Sequence, residues 1–123
     1  MNDIDSPKRM KLSHICELLE CEVMLSIDSM DVETALVLSS DMMSDVLAFA
    51  QPGALMITGL TNSQSIRTAD FADAAAILYI RGKKPDEKTL ELAKELSIPV
   101  LCSEMGMFDV CGTLFSQGLR GAC

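Results

Sequence analysis

The sequence predicts an α/β fold: a single layered domain with a mostly parallel sheet flanked by helices. Three observations predict it. Residues 53–101 alternate short apolar runs with amphipathic ones in the order β-α-β-α-β. The runs ALMITGL (54–60) and AAILYI (75–80) are apolar at nearly every position, as strands covered on both faces are. Gly or Pro closes most segments, at Pro52-Gly53, Gly82 and Pro99. Such an alternation implies right-handed crossovers.

The first ten residues are polar, with Pro7 and Lys8-Arg9, so residues 1–9 read as a flexible arm and 10–118 as the domain. Residues 13–20 have an apolar face of Ile15, Leu18 and Leu19 at helical spacing, with Ser13 as N-cap and Glu17 near the capping-box position. CEVMLS (21–26) reads as a strand, 27–33 as a loop and TALVLSS (34–40) as a buried strand; segments 21–40 are candidates for antiparallel pairing at one edge. Ser40 or Asp41 then caps a helix over 41–50, whose stripe is Met42, Met43, Val46, Leu47 and Ala50.

After the strand at 54–60, a helix over 61–74 begins near Thr61 or Asn62 and turns Ile66, Ala69 and Phe71 or Ala72 to the sheet. Beyond the strand at 75–80, Pro85 sits in the first turn of a helix, and Asp86 and Glu87 favour its positive end. Leu90, Leu92, Ala93 and Leu96 form the buried face of that helix. VLC (100–102) is the next strand. Residues 105–117 form a last helix weakened by Gly106 and Gly112, and 119–123 a C-terminal tail.

A chain of 123 residues is one domain with a sizeable core. With no Trp, one Tyr and four Phe, that core is aliphatic, helped by nine Met. The formal charge of −8 argues against nucleic acid or an anionic membrane as partner; Arg81, Lys83 and Lys84 are the one basic cluster. Five cysteines without CxxC spacing, and a single His14, give no zinc or iron–sulfur pattern, and free thiols suit a cytoplasmic location. The N-terminus has no apolar signal-peptide core, and no apolar run reaches the length of a membrane span.

In an open α/β sheet, ligands bind beyond the carboxyl ends of the strands. Those ends are Thr58-Gly59-Leu60-Thr61-Asn62-Ser63, Arg81-Gly82-Lys83-Lys84 and Cys102-Ser103-Glu104. The first offers hydroxyls, an amide and a helix start; the second offers cations, and together they suit a phosphate or carboxylate. The alternative is ordinary turn chemistry with solvated lysines. The chain has neither GxGxxG nor GxxxxGK[ST], which disfavours a Rossmann cofactor site and a P-loop kinase. Asp41 and Asp45, and Asp70 and Asp73, are spaced for acid–base work, but no His or Lys supports them, and capping or a solvated face explains them. Cys102 or Cys111 is a nucleophile only if His14 or another base lies beside it. No catalytic residue, metal ligand or cofactor is therefore assigned.

DMMSDVLAFAQPGALMITGL resembles the segment of DRTGG domains in which a helix leads through a Gly into a strand. AAAILYIRGKKPDEKTLELAKELSIPVL resembles the strand, Gly turn, Pro-started helix and Ile-Pro-Val strand that follow in that family, and MGMFDVCGTLF its closing helix. The resemblance covers roughly residues 10–118. The Asp-Arg-Thr-Gly-Gly string itself is absent; its place is near DSMDVETALVLSS. The resemblance implies a fold similar to the N-terminal domain of HPr kinase/phosphorylase, without kinase activity. It further implies a bacterial, non-catalytic regulatory or ligand-sensing module that forms a homodimer and binds a small anionic or nucleotide-like ligand. The alternative function is a protein–protein adaptor that docks on a partner enzyme through a Met-rich face, Met42 and Met43 or Met105 and Met107.

Overall fold

The computed structural model describes residues 8–27 and 30–122. Most of the expected N-terminal arm, part of the loop at 27–33 and the last residue of the expected tail lie outside the described residues. The elements are β1 (Met10–Lys11), α1 (Leu12–Leu19), β2 (Glu22–Leu25), β3 (Glu33–Thr34), β4 (Leu36–Ser39), α2 (Met43–Ala48), β5 (Leu55–Thr58), α3 (Ser63–Phe71), β6 (Ala76–Tyr79), α4 (Glu87–Glu95), β7 (Val100–Cys102), α5 (Met107–Ser116) and β8 (Arg120–Gly121).

Six strands form the main sheet in the order β2-β7-β6-β5-β4-β8, parallel except for β2, which runs antiparallel to β7. The expected mostly parallel sheet flanked by helices is therefore what forms. The antiparallel edge is β2 alone. β4, also a candidate for that pairing, lies parallel between β5 and β8, because α2 carries the chain over to the neighbouring strand. The stretch expected as a tail places Arg120–Gly121 beside β4, where Arg120 and Ala122 donate to the Ala35 and Val37 carbonyls at 3.2 and 2.9 Å. β1 and β3 make a separate two-stranded ribbon.

Strand side chains alternate between two aliphatic layers. Met56, Ile77, Tyr79 and Val100 meet α2, α3 and α4 through Met43, Val46, Ile66, Ala69 and Ala93. Leu55, Ile57, Leu78 and Leu101 meet α1 and α5 through Leu12, Ile15, Leu19, Val110 and Leu114. Burial on both faces is why these strands read as unbroken apolar runs.

The helix starts depart from the expected caps where tertiary partners supply the bonds. The N-cap of α1 is Lys11, not Ser13; the Leu12 and Ser13 amides donate to the Val32 and Met30 carbonyls at 2.9 and 3.0 Å. Asp86 caps α4 by accepting from the Thr89 amide at 2.8 Å, which puts Pro85 before the cap rather than in the first turn. Asn62 caps α3 as expected. In α2 only Met43 and Val46 of the expected stripe are buried; Met42 and Leu47 are exposed. On α3, Ala72 faces the core and Phe71 is 83% exposed.

Among the described residues, four of the five helices close through the same turn. A residue with positive φ follows each (Glu20, Asp73, Ser97 and Gly118), and the next amide donates back to the fifth carbonyl before it. These bonds are Cys21 to Cys16, Ala74 to Ala69, Ile98 to Ala93 and Leu119 to Leu114, at 2.9–3.2 Å. This is the Schellman arrangement, which also brings the two side chains of each pair together.

Candidate functional site

Because β4, β5, β6 and β7 run parallel and in near-flush register, their carboxyl ends share one edge of the sheet. Four turns meet there: Ser40-Asp41, Thr58–Ser63, Arg81–Lys84 and Ser103-Glu104.

Asp41 is the link between the first two. Its Oδ1 accepts from the Gly59 amide at 2.7 Å and from the Thr58 hydroxyl at 3.1 Å. The Gly59 bond holds the carboxyl below the usual carboxylate range against a partial desolvation cost, with help from Thr58, Arg81 and Lys83. Neither expected residue caps α2: Asp41 is drawn to β5, the N-cap is Met42 with no side-chain cap bond, and the Ser40 hydroxyl accepts from the Met42 amide at 2.9 Å in the turn before the helix. Thr58 Oγ1 also accepts from the Leu60 amide at 3.1 Å. The buried Thr58 and Gly59 are thus fully engaged.

Arg81 is the link between β5 and β6. A Cβ added to Gly59 would lie 2.6 Å from Arg81 Nη2, so the guanidinium rests on the bare glycine backbone. Arg81 holds φ at 58°, a left-handed conformation that costs a non-glycine residue about 1–2 kcal/mol. Its amide donates to the Met105 carbonyl at 2.8 Å, and the Gly82 amide to the Ser103 carbonyl at 2.9 Å. Those bonds impose the backbone conformation. Lys83 Nζ donates to the Gly59 carbonyl at 3.2 Å. The Glu104 carboxylate lies against Gly82, within 2.9 Å of where a Cβ would be.

The remaining residues expected at the site are placed as follows. Thr61 and Ser63 are half-buried in the turn that opens α3, and Ser63 shares a 3.4 Å hydroxyl contact with Thr89. Asn62 is exposed and gives its Oδ1 to the Ser65 amide at 3.2 Å. Lys84 turns toward the antiparallel edge and pairs with Glu22 at 2.8 Å. Arg81 and Lys83 are thus the cations that converge on Thr58-Gly59. The sequence did not bring Asp41 into this group, since its position after Ser40 looks like a helix cap. The signal that finds it is the parallel pairing of β4, which puts its carboxyl end on the same edge.

The chemistry available is anion recognition by a guanidinium and an ammonium beside a helix start, with Asp41 as an internal counter-charge. Burial pushes the Cys102 thiol up to about 11, so it is not a thiolate at neutral pH. Among the described residues no group of three or more His, Cys, Asp or Glu is placed to hold a metal ion. Nor, among them, is any helix long and apolar enough to cross a membrane.

The family model for the DRTGG domain matches residues 14–115, most of the chain and all four converging turns. The chain belongs to the DRTGG domain family. A solved structure with the same fold is described as the CBS and DRTGG domains of the regulatory region of Clostridium perfringens pyrophosphatase, complexed with the activator diadenosine tetraphosphate. It superposes with a TM-score of 0.73 at 20% sequence identity, over 89% of this DRTGG domain and 47% of that chain. This chain therefore spans about half the length of that regulatory region. No curated protein matches the sequence.

Proposed function

We propose that this DRTGG domain is a non-catalytic regulatory module, a cytoplasmic homodimer that senses a small anionic or nucleotide-like ligand at the carboxyl edge of its sheet. The observation that carries the reading is Arg81: a cation held in a left-handed backbone conformation, laid on Gly59 and flanked by Lys83. Glycine would adopt that conformation without strain, and strain at a site is a pointer to function. The pyrophosphatase region of the same fold, described with a nucleotide activator, supports the ligand class. Ligand contact is assigned to Arg81 and Lys83 as the charged pair, with the Thr61 and Ser63 hydroxyls beside them; of the other residues expected there, Thr58, Gly59 and Asn62 shape the turn through their own hydrogen bonds and Lys84 is held by Glu22. A ligand that binds only the folded state raises the melting temperature by mass action. Arg81→Ala with Lys83→Ala abolishes such a rise; a rise equal to that of the wild-type domain overturns the site assignment. Sedimentation tests the homodimer: a monomer at tens of micromolar, roughly the range of weak interface affinities, counts against it.

A second reading, an adaptor for a partner enzyme, is favoured by the exposed apolar surface on α2 and α3. Leu47 and Phe71 line a groove of about 230 Å³ with Arg67 and Thr68, and Met42 and Phe49 are also exposed. Substituting Leu47 and Phe71 with Ser leaves nucleotide-induced stabilisation intact under the first reading and abolishes partner binding under the second.

A further inference from the structure

We propose that Cys16 and Cys21 are an oxidation site that closes to an intramolecular disulfide when the protein meets a hydroperoxide. Of the four helices that end in a Schellman turn, three join apolar or small side chains across it: Ala69 with Ala74, Ala93 with Ile98, and Leu114 with Leu119. At the end of α1 the same two positions are both cysteines. The Cys21 amide donates to the Cys16 carbonyl at 2.9 Å, and the Glu20 amide to the Glu17 carbonyl at 3.4 Å. With standard backbone dimensions that first bond keeps the two Cα atoms at most about 6.8 Å apart. A disulfide spans about 4.4–6.8 Å.

The Schellman turn sets the two side chains side by side, as it does for the residue pairs at the other three helix ends, and the nearness of Cys21 lowers the Cys16 pKa. Both side chains are half-buried against the α1–α5 layer, open enough for a small oxidant, whereas Cys102 is buried in the sheet. The left-handed Glu20 fixes the turn, so little backbone ordering is left for the bond to impose. A disulfide in a reducing compartment is a transient, redox-sensing one.

The step balances as follows. The Cys16 sulfur, whose pKa is lowered by the nearby Cys21 thiol, attacks the terminal peroxide oxygen as thiolate. The O–O bond breaks, an alcohol (or water) leaves with one proton, and Cys16 becomes a sulfenic acid. The Cys21 sulfur then attacks the Cys16 sulfur and displaces the hydroxyl as water, which carries away the Cys21 proton. Two thiols and one hydroperoxide give one disulfide, one alcohol and one water.

The test treats the reduced, full-length protein with a small excess of hydrogen peroxide, then denatures and alkylates it. The wild-type chain loses two hydrogens by intact mass and exposes three alkylatable thiols in place of five. Digestion at Glu17 or Glu20 yields Cys16 and Cys21 in linked peptides. Cys102→Ser leaves this unchanged, and Cys16→Ser prevents it. Five alkylatable thiols after treatment, a linkage through Cys102 or a second chain, or oxygen added without a disulfide would each overturn the proposal.

Discussion

The turn after β5 and the turn after β6 lie side by side on one edge of the sheet, yet they spend their polar groups differently. In the first, the Gly59 amide and the Thr58 hydroxyl go to Asp41, and Asn62 goes to the Ser65 amide. In the second, backbone amides are tied to the Met105 and Ser103 carbonyls, while the Arg81 head lies across Gly59. The first turn is built for shape and the second carries the charge. A helix start alone is therefore a poor guide to an anion site here, because its own chain has already taken the two donors ahead of it. The second turn is the better guide under the proposed reading, since it brings two cations, Arg81 and Lys83, onto Gly59 beside the single Asp41 carboxylate.

The comparison can be broken at its largest effect by Arg81→Gly. Glycine relieves the left-handed backbone, so the domain stays at least as stable, while anion affinity falls about tenfold or more for the loss of a charge-assisted contact. Titration calorimetry with a binding nucleotide, beside a melting curve, separates the two. Loss of folding in this variant would show that Arg81 is structural.

Asp41→Ala sharpens the contrast from the other side. It strands the buried Gly59 amide and lowers stability by about 1–2 kcal/mol. It also removes a negative charge from the site, so anion affinity rises. The lowered pKa of Asp41 means that its contribution to stability is fully present above the unfolded value, about 3.9, and is lost as pH falls through the lower native value. Acid melting curves of wild type and Asp41→Asn converge in that window if this is correct.

Gly59→Ala places a methyl 2.6 Å from Arg81 Nη2. The guanidinium is the end of a flexible side chain and can move aside, so stability falls by less than about 1 kcal/mol, in the range of ordinary substitutions. Affinity falls with it, because the cation leaves its seat. The smallest effect is expected at Gly112, on an exposed face of α5 with nothing within 4 Å of an added Cβ. Gly112→Ala stabilises by up to about 1 kcal/mol, read by chemical denaturation, without touching binding.

The central sheet was legible because residues such as Met56, Ile57, Ile77 and Leu78 are buried on both faces, which leaves an apolar run that composition alone displays. Edge elements were not. β8 is two residues of a Gly-containing stretch, and only pairing with β4 makes it a strand. The start of α1 depends on carbonyls seventeen and twenty residues away, at Met30 and Val32, so no local capping pattern announces it. That Arg81 and Lys83 stand at a strand end could be read because charge beside a strand end is local information. Asp41 could not, because its role is fixed by which neighbour β4 pairs with. The Cys16–Cys21 contact was hidden for a similar reason: spacing five apart means nothing until the helix is known to stop at Leu19.

The measurement that most directly tests the account is a thermal-shift titration of the wild-type domain and the Arg81→Ala, Lys83→Ala double variant against adenine nucleotides and inorganic phosphate. The account predicts a dose-dependent rise with at least one nucleotide for wild type and none for the variant. No rise with any compound, or the same rise in both proteins, would contradict it.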